Sequence, residues 1–109
     1  MEDAGYTYIW IFDVAEGAEA EFERAYGPEG EWVRLFRRGA GYRGTALLRD
    51  LDEPRRYVTV DRWASAAAFE RFRAEHAAAF EALDRRCQAL TVAETRLGRY
   101  APAEPETPG

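Results

Sequence analysis

The sequence has no lysine, one cysteine and one histidine, and no apolar run approaches the ~20 residues of a membrane-spanning helix. Each shortage removes a class of function. A lone Cys87 forms neither an internal disulfide nor a thiolate-rich metal site, and it reads as a small hydrophobe on a buried helix face. There is no His/Cys cluster, no Gly-rich dinucleotide turn and no P-loop, so no metal and no bound cofactor are expected. No basic segment followed by an apolar one opens the chain, so the protein is expected to be soluble and cytoplasmic. Arginine supplies every base and alanine is abundant, which suggests the codon usage of a GC-rich bacterial genome.

Twenty acids stand against 15 bases, for a net charge of -5 and a pI near 4.9. The bases are interleaved with acids, as in Glu23-Arg24, Arg49-Asp50, Asp61-Arg62 and Glu70-Arg71. Nucleic acid needs clustered positive charge and is not an expected partner. The Arg34, Arg37 and Arg38 run reads as solvated residues near a helix C-terminus.

What is abundant is apolar: 47% of the 109 residues are hydrophobic and 14% aromatic. That length makes one domain. Residues 1–5 read as a short lead, 6–100 as the domain, and 101–109 as a Pro-rich tail expected to be disordered. Tyr6 to Val14 reads as a strand that is apolar front and back. Tyr8, Trp10, Phe12 and Val14 lie on one face, Thr7, Ile9 and Ile11 on the other. Helical spacing follows through Ala18, Phe22, Ala25 and Tyr26, is interrupted by Gly27-Pro28-Glu29-Gly30, and resumes with Trp32, Leu35 and Phe36. Tyr42 to Asp50 and Arg56 to Trp63 read as an antiparallel hairpin around Leu51-Asp52-Glu53-Pro54. Ser65 is a fitting N-cap for a second helix that bends between Glu75 and Ala79. Thr91 to Tyr100 is a final strand.

This order, βαββαβ, predicts an α+β, ferredoxin-like fold in which helices cover one face of a four-stranded antiparallel sheet. The uncovered face, with Ile9, Ile11, Val58 and Val60, calls for a second subunit, so a homodimer forming a dimeric α+β barrel is expected.

Within this frame the chain resembles the antibiotic biosynthesis monooxygenase (ABM) superfamily across about Tyr6 to Tyr100. The resemblance rests on the turn Ala15-Glu16-Gly17, on Gly41-Tyr42-Arg43-Gly44 opening strand two, on Leu47-Leu48-Arg49-Asp50, and on Val60-Asp61-Arg62-Trp63-Ala64-Ser65 with Ala68-Phe69. It implies a dimeric barrel and, in some members, oxidation of polycyclic phenols by O2 without a cofactor. Trp63 matches the tryptophan beside the substrate in those members, where indole offers a stacking surface and one N–H donor. Their Asn four residues earlier is Thr59 here, their Tyr six residues later is Phe69, and their helix-two Arg has only Arg85 and Arg86 nearby. The haem-degrading members are a poorer match: Trp10 stands at their strand-one Asn, Phe72 at a helix-two Trp, and Ala82 near their axial His.

The expected pocket lies between sheet and helices. Tyr57, Thr59, Asp61 and Trp63 share the helix-facing side of strand three with Trp10 and Phe12 of strand one, and Phe69, Phe72 and His76 close it from helix two. The catalytic candidates are His76, Asp61 and Trp63, with Trp10, Phe12, Tyr26, Trp32, Tyr57, Thr59, Phe69 and Phe72 as substrate-binding candidates. Plainer readings stand beside them. His76 titrates near neutrality and suits a general base, or it sits at a helix bend bonded to Glu75 or the backbone. Asp61 is a base or the partner of an arginine across the sheet; Trp63 is a substrate contact or a core tryptophan. Tyr26 and Trp32 form a gated pocket mouth or simple packing. Three functions remain open: a cofactor-free monooxygenase, or a related isomerase or cyclase, acting on a small aromatic or polyketide-like molecule; a non-catalytic binder of small hydrophobes; and a structural dimer with a solid core.

Overall fold

Alternation of period two becomes strand wherever β-branched and aromatic residues dominate. In the computed structural model, which describes residues 5–103, these strands are β1 (Tyr6–Val14), β2 (Tyr42–Arg49), β3 (Arg56–Trp63) and β4 (Thr91–Tyr100). The short lead and the tail assigned above fall on residues 1–4 and 104–109, outside the described residues, apart from their inner ends. The sheet order is β2-β3-β1-β4, with every neighbouring pair antiparallel. This is the anticipated ferredoxin-like α+β arrangement.

The two helical segments are each divided. Pro28 has no amide hydrogen to donate and sits beside two glycines, so the first segment ends as α1 (Glu19–Tyr26) and restarts as α2 (Glu31–Phe36). The second forms α3 (Ala66–Glu75) and α4 (Ala77–Cys87), separated at His76, where φ is -120° and ψ 29°. The Ser65 hydroxyl accepts from the Ala68 amide at 3.0 Å and starts α3 as the sequence suggested. A short 3-10 turn, Gln88–Leu90, leads into β4.

All four helices lie against one face of the sheet. The side chains they cover include Phe12, Val14, Tyr57, Thr59, Asp61 and Trp63, each under one-tenth exposed. Their strand neighbours Ile9, Ile11, Val58 and Val60 point to the opposite face and are half-buried. Leu48, paired with Val58 and therefore on that same outer face, is 52% exposed. The sheet thus has an apolar back that no element among the described residues covers.

The core is dense where the α2–β2 connection passes beneath α3. Gly39 is buried, and a Cβ there would stand 2.9 Å from both Phe72 Cδ1 and Trp63 Cζ3. Those rings belong to fully buried side chains with no room to retreat. Gly39→Ala is expected to cost about 1–3 kcal/mol through overpacking, read as a lower urea midpoint at unchanged m-value. A variant as stable as the parent would contradict this packing.

Candidate functional site

The covered face of the sheet is not fully packed by the helices. Between them lies a cavity of about 280 Å3. Its floor is Tyr8, Trp10 and Phe12 of β1 with Thr59 and Asp61 of β3. Phe69 and Arg73 of α3, with Phe80 and Asp84 of α4, form the roof. Tyr26, Trp32 and Phe36 close the side next to α1 and α2, and Glu94 of β4 stands at the rim. An apolar wall with a few polar groups is the usual make-up of a small-molecule site. A wider concavity of about 730 Å3 lies beside the helix break, but its lining carries no aromatic ring and is mostly charged.

The walls hold their shape through ring contacts. Trp32 meets Phe80 edge-on, with centroids 5.0 Å apart, and lies 5.9 Å from Tyr26. The Arg73 guanidinium sits 3.9 Å above the Phe80 ring, a cation–π arrangement that fixes a positive charge at the cavity. Burial keeps the Tyr26 phenol well above its ordinary pKa, so it remains a neutral wall residue.

Asp61 is the unusual member. Only 8% exposed, it faces a mainly aromatic space. The Thr45 hydroxyl donates to its Oδ1 at 2.6 Å across the β2–β3 ladder. The sequence reading offered an arginine across the sheet as its partner; the residue that stands across the β2–β3 ladder is Thr45, and its neutral hydroxyl takes that place. Burial pushes the Asp61 carboxyl up to about 6, and the Thr45 hydrogen bond offsets only part of that rise. A carboxylate poised near neutrality can accept a proton at physiological pH and return it.

Of the residues singled out from sequence, Asp61, Trp10, Phe12, Tyr26, Trp32, Thr59 and Phe69 line this one cavity. Four others lie outside its lining. Trp63 is fully buried behind it, packed on Tyr42, Phe69 and Phe72 at centroid distances of 5.1–5.4 Å, with an indole N–H that has no acceptor. Phe72 is buried in the same core cluster. Tyr57 turns toward α1, where its hydroxyl donates to Glu23 at 2.5 Å. His76 sits at the α3–α4 junction with its ring 5.2 Å from Phe72, because the helix break there rotates it off the cavity-facing stripe.

Sequence reasoning passed over Tyr8, Phe36, Arg73, Phe80, Asp84 and Glu94 among the lining residues. Tyr8 carried a usable signal, since it shares a face with Trp10 and Phe12. Phe80 carried another, standing on the apolar stripe of the second helical segment. Among the described residues, no group of three or more His, Cys, Asp or Glu side chains is arranged to hold a metal ion, and no helix is long and apolar enough to cross a membrane.

The same architecture recurs in solved structures. SnoaB, a cofactor-independent oxygenase from Streptomyces nogalater, is 26% identical, with a TM-score of 0.76 over 94% of this chain and 96% of that one. PA3566 from Pseudomonas aeruginosa is 23% identical, with a TM-score of 0.69 over 95% of this chain and 99% of that one. No match is found among curated proteins. The family model described as antibiotic biosynthesis monooxygenase matches residues 6–85, from β1 into α4 and so three of the four strands. The chain belongs to the antibiotic biosynthesis monooxygenase family.

Proposed function

We propose that the protein is a cofactor-independent monooxygenase for a small aromatic or polyketide-like phenol bound between sheet and helices, with Asp61 as the base. The observation that carries this reading is a buried carboxylate, poised near neutrality, lining a cavity otherwise walled by aromatic rings. The kinship with a cofactor-independent oxygenase supports it.

The chemistry needs no outside reductant. Asp61 takes a proton from the bound molecule, and the resulting carbanion or phenolate is electron-rich enough to reduce O2. In an anthrone-type substrate the CH2 between two aryl rings becomes C=O. One oxygen atom enters the product, and the other leaves as water with the two hydrogens. The substrate supplies all four electrons. Stacking on Trp10, Phe69 and Phe80 would hold the rings flat, and excluding water would protect the carbanion from reprotonation.

The active protein is proposed to be a homodimer in which the apolar backs of two sheets cover each other. Size exclusion should give roughly twice the chain mass of 12.4 kDa, and Ile11→Glu with Val58→Glu should shift it toward monomer. A monomeric parent protein would rule this assembly out.

Oxygen consumption with an anthrone-type phenol tests the main reading. The pH profile of kcat/KM should rise to a plateau above about 6, where Asp61 is ionised. Asp61→Asn should lose 100-fold or more, an order-of-magnitude figure for removing a general base, while His76→Ala should stay within a few-fold of the parent. A panel of bound phenols that consume no oxygen would leave a binding protein and sink the oxygenase.

The same residue leaves a mark on stability. A carboxyl whose pKa is raised by folding holds its proton more tightly when folded, so stability falls as pH rises from about 4 to about 6. Above that window the penalty is complete, on the order of 3 kcal/mol. Asp61→Asn should therefore be more stable than the parent at pH 8 and gain little at pH 3.5. Equal stability at both pH values would contradict a strained carboxylate.

A further inference from the structure

We propose that Tyr42 and Thr45 are positioning residues for Asp61: their two hydroxyls form a directed chain that occupies Oδ1 and leaves the second carboxylate oxygen for the ligand. This rests on the assignment of Asp61 as the base. It adds a residue pair, outside the cavity lining, that neither the sequence reading nor the comparisons pick out.

The geometry sets the direction of the chain. The Thr45 hydroxyl has one hydrogen, and it goes to Asp61 Oδ1 at 2.6 Å, since an ionised carboxylate can only accept. The Tyr42 hydroxyl, 2.5 Å from Thr45 Oγ1, must then be the donor to it. Tyr42 donates to Thr45, and Thr45 donates to Asp61. A donor that itself receives a hydrogen bond is a stronger donor, so the two contacts reinforce each other.

A local irregularity in the backbone makes this possible. Residues three apart on a regular strand point to opposite faces. Here the β2–β3 register shifts between Tyr42 and Gly44, so Tyr42 pairs with Trp63 and Thr45 with Asp61. The extra residue, Arg43, is absorbed as a bulge, and Gly44 takes the φ of +138° that this turn of the chain requires. Tyr42 and Thr45 thereby come to the same, helix-covered face. Trp63 holds the Tyr42 ring edge-on, with centroids 5.3 Å apart, and Phe36 closes it at 5.6 Å. This gives the deeply buried Trp63 a role through Tyr42.

Tyr42 and Thr45 also line a surface groove with Arg37 and Val33. Asp61 lines the inner cavity. The chain is therefore a link between the groove and the cavity through the sheet's edge. The other ionisable groups around Asp61 are Tyr8 opposite it on β1, Tyr26 from α1, Arg73 of α3, Asp84 of α4 and Glu94 of β4. None of them is a hydrogen-bond partner of Asp61, so Thr45 is where its charge is held.

The test is the titration of the Asp61 side-chain carboxyl, followed by carbon-13 NMR in the ligand-free protein. Thr45→Val removes the donor and keeps the shape, and the Asp61 midpoint should move up by about one pH unit or more. Thr45→Ser restores the donor and should titrate within a few tenths of a unit of the parent. Tyr42→Phe, which leaves Thr45 in place, should give a smaller upward shift. The pH profile of kcat/KM should move with the midpoint in each variant, whereas a merely structural role would lower the rate at all pH values alike. An unmoved midpoint in a folded Thr45→Val protein overturns the proposal. If that variant does not fold, an unmoved midpoint in Tyr42→Phe does so instead. A parent protein that shows these shifts but oxidises no phenol would refute the oxygenase and leave the positioning role intact.

Discussion

The pairing of β1 with β3 sets everything else in this molecule. Its register puts Tyr8 opposite Asp61, Trp10 opposite Thr59 and Phe12 opposite Tyr57, all on the face toward the helices. The alternate pairs, Ile9 with Val60 and Ile11 with Val58, make the outer face. A slip of one residue would exchange the two sets, sending the carboxylate outward and the aliphatic pairs inward. Such a slip would expose Trp10 and Phe12 together, so the hydrophobic effect holds the register firmly. The cavity floor, the base and the apolar back of the sheet are one consequence of it.

Against that background the buried carboxylate is a local conflict. Placing Asp61 among rings costs stability that an apolar residue of similar size would not. Proteins keep such conflicts where function needs them, and regions elsewhere stay mutually consistent. Most of the remaining core is consistent: among the fully buried side chains, Phe22, Phe72 and Val14 are apolar and the Tyr57 hydroxyl is bonded to Glu23, while the Trp63 indole N–H is a second unmet polar group. The two buried polar residues of the covered face, Thr59 and Asp61, both line the cavity.

Much of the architecture was legible in the sequence because the signals were local. Strand alternation, Pro28 at the break in the first helix and Ser65 before the second act within a few residues of themselves. The facing of Thr59, Asp61 and Trp63 followed from period two alone. What escaped was non-local. That Thr45 rather than an arginine holds Asp61 depends on how β2 aligns with β3, and on a bulge at Arg43 with no strong mark in the chain beyond two nearby glycines. The bend at His76 was expected, but that its ring packs on Phe72 and stays outside the cavity lining depended on contacts that spacing does not show. Tyr57 left the cavity for Glu23, a partner 34 residues earlier that no spacing rule would select. Arg73 drew no notice in the sequence, and its place depends on Phe80, seven residues on, whose ring lies beneath its guanidinium.

The central claim is that the space between sheet and helices is a site for a flat aromatic molecule oriented by Asp61. A crystal structure of the protein with an anthrone-type phenol bound tests it most directly. The account predicts the ring system between Trp10 and Phe80, with a substrate oxygen or the reactive CH2 within hydrogen-bonding or van der Waals reach of the Asp61 carboxylate. A ligand seated in the charged concavity beside Pro28, or a cavity that stays closed around its own side chains at saturating ligand, would contradict it.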